Sequence, residues 1–104
     1  MLLVAPAEPA RFNVVDRLPQ GRLDTQACLV ASDSDPWMSA TSARAWALRW
    51  GSDWINLGDA GHINISSGFG PFPLARDWTF GALRRLARAE AGAGFDAASW
   101  SVAA

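Results

Sequence analysis

The stretch GDAGHINISSGFGPFP, residues 58–73, carries His62, the one histidine of the chain, among glycines, prolines, serines and asparagines. Imidazole takes up and returns a proton near neutral pH, and a scaffold more often presents such a group on a loop than in a core. A histidine acting as a base works with a carboxylate behind it, which fixes the tautomer and stabilises the imidazolium that forms. Asp33 and Asp35, in the turn-rich DSDPWMS of residues 33–39, are the nearest choices, and Pro36 biases Asp35 toward an extended backbone. Aspartates in such a stretch are also ordinary turn formers. A lone histidine is equally compatible with a solvated surface or with a bond to a backbone carbonyl. A metal site is not implied, because one histidine and one cysteine form no ligand cluster. Cys28 lies within an apolar run and reads as packing. The serines, among them Ser32, Ser34, Ser39, Ser42, Ser66 and Ser67, all lack the G-x-S-x-G strand-elbow-helix setting that exposes a nucleophile.

The elements that must position these residues follow from the hydrophobic pattern. MLLVAP, ended by Pro6, reads as a strand at about 1–5 buried on both faces, as in a parallel sheet. Residues 6–26, with Pro6, Pro9, Pro19 and Gly21, read mainly as a connection. ACLVAS reads as a second strand at about 27–32, and WINL as a third at about 54–57. Between them SATSARAWALRWG reads as a helix at about 40–50. Ser39 or Thr41 is its N-cap, Ala43, Trp46, Ala47 and Trp50 form its apolar face, and Gly51 is its C′ residue. A second helix is expected at about 74–91, with Trp78, Leu83, Leu86 and Ala87 on its buried side and Gly92 and Gly94 ending it. Residues from about 92 to 104 read as a weakly ordered tail.

Strand, connection, strand, helix, strand, helix is the pattern of an α/β unit with a parallel sheet. Functional loops in such sheets lie at the carboxyl ends of the strands, and neighbouring strands are ~4.8 Å apart. The loops holding Asp33, Asp35 and His62 can therefore touch.

The totals narrow the function classes. A chain of 104 residues is enough for one domain, 1–104, with one modest core. Half the residues are hydrophobic and the formal charge is −1, which argues against disorder and against a nucleic-acid binder with its basic face. A single cysteine allows no intrachain disulfide and suits a reducing cytoplasm. MLLVAPAEPA has no basic residue ahead of its short apolar run and does not read as a signal peptide. No apolar run reaches the ~20 residues that span a bilayer. Of the six tryptophans, Trp46 and Trp50 read as core; an aromatic binding surface is the alternative for the set.

One longer match sharpens this reading. VASDSDPWMSATSARAWALRWGSDWINLGDAGHINISSGFGPFP, residues 30–73, resembles the C-terminal half of the small serine hydrolases of the retinoblastoma-binding-protein-9 and YdeN group, which are compact α/β-hydrolases. Ser32-Asp33-Ser34-Asp35-Pro36-Trp37 is similar to that family's S-x-D-D-P-[YF] turn. Trp50-Gly51 matches its helix end, and Asn56-Leu57-Gly58 its strand end. Gly61-His62-Ile63-Asn64, Ser67-Gly68, Gly70 and Pro73 match its G-H-I-N-x-x-S-G-x-G-x-W-P run, with Phe72 at the place of the tryptophan.

The resemblance implies a partial α/β-hydrolase fold, with Asp35 as triad acid and His62 as general base. The parent reaction is ester or amide hydrolysis through an acyl-serine, on a small acyl-ester or amide substrate, with no cofactor. The nucleophile elbow and the oxyanion hole that goes with it are missing from this chain, so the chain alone is expected to be inactive. Two further readings stand beside this one: a non-catalytic interaction module that kept the fold, and a fragment whose Met1 is internal to a longer protein. No nucleic-acid or membrane partner is implied. Self-association through the exposed N-terminal strand is expected, because the first charged residue after it is Glu8.

Overall fold

The computed structural model describes the backbone of residues 1–102 and the side chains of residues 1–92. The chain divides into two units, one of residues 1–72 and one beginning at Pro73.

The first unit is built on a parallel sheet of β1 (Leu2–Val4), β2 (Cys28–Ala31) and β3 (Asp53–Asn56), in that spatial order. Leu3 is in register with Leu29, and Leu29 with Trp54. The middle strand is buried along its whole length, as a strand flanked on both sides should be. The expectation that β1 is buried on both faces is corrected: Leu2 and Leu3 are half-buried and Val4 is exposed, because among the described residues β1 pairs with β2 alone and forms the edge of the sheet.

One helix, α1 (Ala40–Trp50), covers the sheet. Ser39 is its N-cap, accepting a hydrogen bond from Ser42 N at 3.1 Å, and Gly51 closes it in the left-handed region at φ 65°. Leu29, Ala31 and Met38 join Ala43, Trp46, Ala47 and Trp50 in one core, with Leu3, Val15, Leu18, Leu23 and Trp54 packed against it. The Trp46 and Trp50 rings lie 5.0 Å apart at 41°. Residues 6–26 are a connection containing two short 3-10 turns, Pro9–Phe12 and Val15–Arg17. It is tied down where Trp50 Nε1 donates to Pro19 O at 2.8 Å and Leu23 N donates to Trp50 O at 2.9 Å.

The second unit is α2 (Pro73–Val102). It starts where expected but runs past Gly92 and Gly94, because glycine inside a helix costs only about 1 kcal/mol relative to alanine and does not force a stop. On this helix Trp78 is half-buried, whereas Leu83 and Leu86 are exposed and so is Ala87, against the expected buried side. The weakly ordered tail expected at about 92–104 falls largely outside the described residues, in its side chains from residue 93 and entirely at 103 and 104. No helix of the described residues is long and apolar enough to cross a membrane.

Candidate active site

At the carboxyl ends of β2 and β3 the chain makes two loops rich in short polar side chains. The backbone ladder ends with Leu57 N donating to Ala31 O at 2.9 Å, and one further rung follows, from Asp33 N to Gly58 O at 2.8 Å. Beyond that rung the loops are joined by side chains. Asn56 Nδ2 donates to Asp33 Oδ1 at 2.8 Å. Ser34 Oγ donates to Asp59 Oδ1 at 2.6 Å and accepts from Gly61 N at 2.9 Å. Ser32, which is fully buried, donates to Gly58 O at 3.0 Å and accepts from Ala60 N at 3.0 Å.

Asp35 and His62 meet at the top of this stitched pair of loops. His62 Nδ1 lies 3.1 Å from each of the two Asp35 carboxylate oxygens. Asp35 Oδ1 also accepts from Trp37 N at 2.9 Å, which holds the carboxylate against its own turn. The Asp35 side chain is 2% exposed, the His62 side chain 32%. A carboxylate on Nδ1 makes that nitrogen the donor and leaves Nε2, on the far side of the ring, with a free lone pair. Asp33, the other acid in the turn, is held by Asn56 instead.

The histidine loop has a strained local backbone. Gly58 and Gly61 sit at φ 75° and 58°, and Ile63, directly after the histidine, at φ 54°. A β-branched residue in the left-handed region is rare and costs energy; here the 8%-exposed Ile63 side chain helps hold it there. The next turn, Ile65–Ser67, is fixed by a capping box in which Asn64 Oδ1 accepts from Ser67 N and Ser67 Oγ accepts from Asn64 N.

A cleft of about 350 Å³ opens beside Asp35, lined in part by Glu8, Arg11, Trp37 and Met38. Trp37, 45% exposed, has its ring 6.2 Å from the imidazole, and the Arg11 guanidinium lies 5.6 Å over it. Trp46 and Trp50 are core residues, so of these three tryptophans only Trp37 faces the cleft. Sequence reasoning named Ser32, Ser34 and Asn56 only as motif positions, with no role, and did not single out Arg11. Hydroxyl and amide side chains in a turn satisfy local backbone so often that spacing does not distinguish them. Cys28 stands apart from the site, 1% exposed on β2, and burial, with the Asp53 charge, pushes its thiol pKa up. Among the described residues no group of three or more histidines, cysteines or acids is placed to hold a metal ion.

Comparison with known proteins agrees with this architecture. The chain matches a YdeN-like hydrolase of known crystal structure from Pectobacterium atrosepticum at 44% identity and a TM-score of 0.65. The match takes in 80% of this chain and 42% of that one, so the chain spans less than half the length of this hydrolase. No curated protein gives a match. The three parallel strands and their helices are thus a partial α/β-hydrolase fold. The serine hydrolase family model matches residues 1–79, more than half of the sequence, and the chain belongs to the serine hydrolase family.

Proposed function

We propose that this chain is the acid–base half of a serine hydrolase active site, in which Asp35 orients His62 and His62 is the general base. The observation that carries this reading is the contact of His62 Nδ1 with both oxygens of a carboxylate that is almost fully buried. Held this way, the ring presents Nε2 to a serine hydroxyl. Nε2 takes the hydroxyl proton as the serine oxygen attacks an acyl carbon, and Asp35 stabilises the imidazolium. When the tetrahedral intermediate collapses, the same proton passes to the departing alcohol or amine, leaving an acyl-serine that water hydrolyses by the reverse sequence. The 104 residues contain no G-x-S-x-G elbow, so the attacking serine and its oxyanion hole come from outside them. The substrates in this reading are small acyl esters or amides, in keeping with the serine hydrolase family match. A non-catalytic interaction module has no use for this pair: burying a carboxylate is costly unless it is partnered, and an apolar residue packs the same space more cheaply.

The purified chain is expected to hydrolyse activated esters no faster than free imidazole does, and a fluorophosphonate probe is expected to label none of its serines. Labelling of any serine in this chain that disappears in His62→Ala would show that the nucleophile is here after all. The acid–base assignment is read separately, from the ¹⁵N shifts of the His62 ring in alkaline buffer, where the ring is neutral. The proton is expected on Nδ1 in the native chain, and to leave that nitrogen in Asp35→Ala but not in Asp33→Ala.

A further inference from the structure

We infer that Ser32 is the positioning residue of the Asp35–His62 pair, an inference that rests on the acid–base reading above. Ser32 follows the last residue of β2, and the bonds of its hydroxyl go to residues other than the pair itself. Its hydroxyl is nevertheless the point where their two loops are joined. The proton goes to Gly58 O at 3.0 Å, and the oxygen accepts from Ala60 N at 3.0 Å and from Ser34 N at 3.3 Å. A serine hydroxyl has one proton to give and two lone pairs to receive with; these three bonds fill that capacity, and Ser34 Oγ stands at 3.4 Å from the same oxygen as a longer fourth contact. Gly58 and Ala60 belong to the loop of His62; Ser34 is the residue before Asp35. One buried oxygen therefore fixes the approach to the histidine and the approach to the acid in the same frame.

Little else could do this from inside the fold. The strand ladder has ended, and the one backbone rung beyond it, Asp33 N to Gly58 O, binds the same carbonyl that Ser32 binds. The other stitches, Asn56 to Asp33, Ser34 to Asp59 and Gly61 to Ser34, lie at exposed positions where water competes for the same groups. Ser32 is 0% exposed, so no water replaces its hydroxyl when it is removed. Gly58 O keeps its bonds from Asp33 N and Ala60 N, but Ala60 N loses one of its two acceptors and Ser34 N loses the Ser32 oxygen. The histidine loop already carries the strained Ile63, and such a backbone persists only when its surroundings over-determine it. Removing the internal tie lets the loop relax, and the imidazole moves away from Asp35.

The predicted consequence is local and spectroscopic. In the ¹⁵N-labelled chain, in alkaline buffer, the native protein is expected to hold the His62 proton on Nδ1. Ser32→Ala is expected to shift the ring toward the mixture of tautomers found in free imidazole. The amide spectrum of β2, β3 and α1 is expected to stay native. Ser32→Thr, which keeps a hydroxyl, is expected to restore the native tautomer. Ser32→Cys fills nearly the same volume with a poor hydrogen-bonding group and is expected to behave like the alanine variant; it decides the matter if Ser32→Ala does not fold. Trp50→Phe loses the bond to Pro19, which involves neither loop of the pair, and is expected to leave the tautomer unchanged, which separates positioning from general loss of stability. If the native chain lacks the Nδ1 proton, the acid–base reading itself fails. If the native chain has it and folded Ser32→Ala or Ser32→Cys keeps it undiminished, Ser32 is not the positioning residue.

Discussion

A Cβ placed at position 61 would lie 2.9 Å from both the Cβ and the Oγ of Ser67, at a residue whose φ is 58°. Ser67 cannot simply swing aside, because its hydroxyl is part of the capping box with Asn64. Gly61→Ala therefore meets a steric conflict in addition to the ~1–2 kcal/mol that a side chain costs in the left-handed region. Urea unfolding is expected to show a loss of at least about that size, whereas Gly70→Ala, with open space around it, should be close to neutral. Cys28 supplies a second prediction at this scale. Burial, followed by the Asp53 charge, raises its thiol pKa in the folded chain. An unfolded thiol ionises from about pH 8.5, so above that pH the unfolded chain loses a proton that the folded chain keeps. Stability then falls as pH rises through this window. Unfolding free energies measured between about pH 8 and pH 10 should decline in the native chain and decline less in Cys28→Ala.

Among the elements, α1 carries most of the core, and its two faces should respond differently to truncation. Trp46 is 6% exposed and packs at a tilt against Trp50, while Leu48, on the opposite side, is 72% exposed. Trp46→Ala is expected to cost about 3–5 kcal/mol, the usual range for emptying a large aromatic site, and Leu48→Ala less than about 0.5 kcal/mol. Ser39→Ala removes the acceptor for Ser42 N and should cost about 1 kcal/mol. Chemical denaturation of the three variants checks the order; a Leu48→Ala loss near that of Trp46→Ala would mean that the helix packs by another face.

For the molecule as a whole, the open edge of β1 has consequences. Leu2, Leu3 and Val4 pair with β2 on one side only, among the described residues. Natural sheets protect such an edge with charges, prolines or bulges, and this strand has none before Pro6. Two copies are expected to pair edge to edge through β1. Sedimentation velocity should show a mass that rises with protein concentration. Val4→Lys, a charge at an exposed edge position, should return the chain to a monomer without altering its circular dichroism. A native chain that sediments as a monomer at all concentrations would show that the edge is covered in some other way.

The parallel strands and α1 were legible in the sequence because each has a local cause. CLVA is a short apolar run, Ala43, Trp46, Ala47 and Trp50 share one side of a helix, and Ser39 and Gly51 cap its ends with side-chain and backbone preferences of their own. Residue type also marked His62 and the two candidate acids, and a family motif favoured Asp35. Only the tertiary structure decided the rest. The bonds that place Asp35 against His62 join loops 25 to 28 residues apart, and no local pattern specifies which of several serines and aspartates will bridge them. Edge position made β1 half-exposed although its sequence resembles a buried strand. The run of α2 through Gly92 and Gly94 likewise depended on the whole helix, since neighbouring turns outweigh a weak local preference. Local composition determined what each segment is; contacts between distant segments determined which side chains face each other, because those contacts exist only after the sheet has formed.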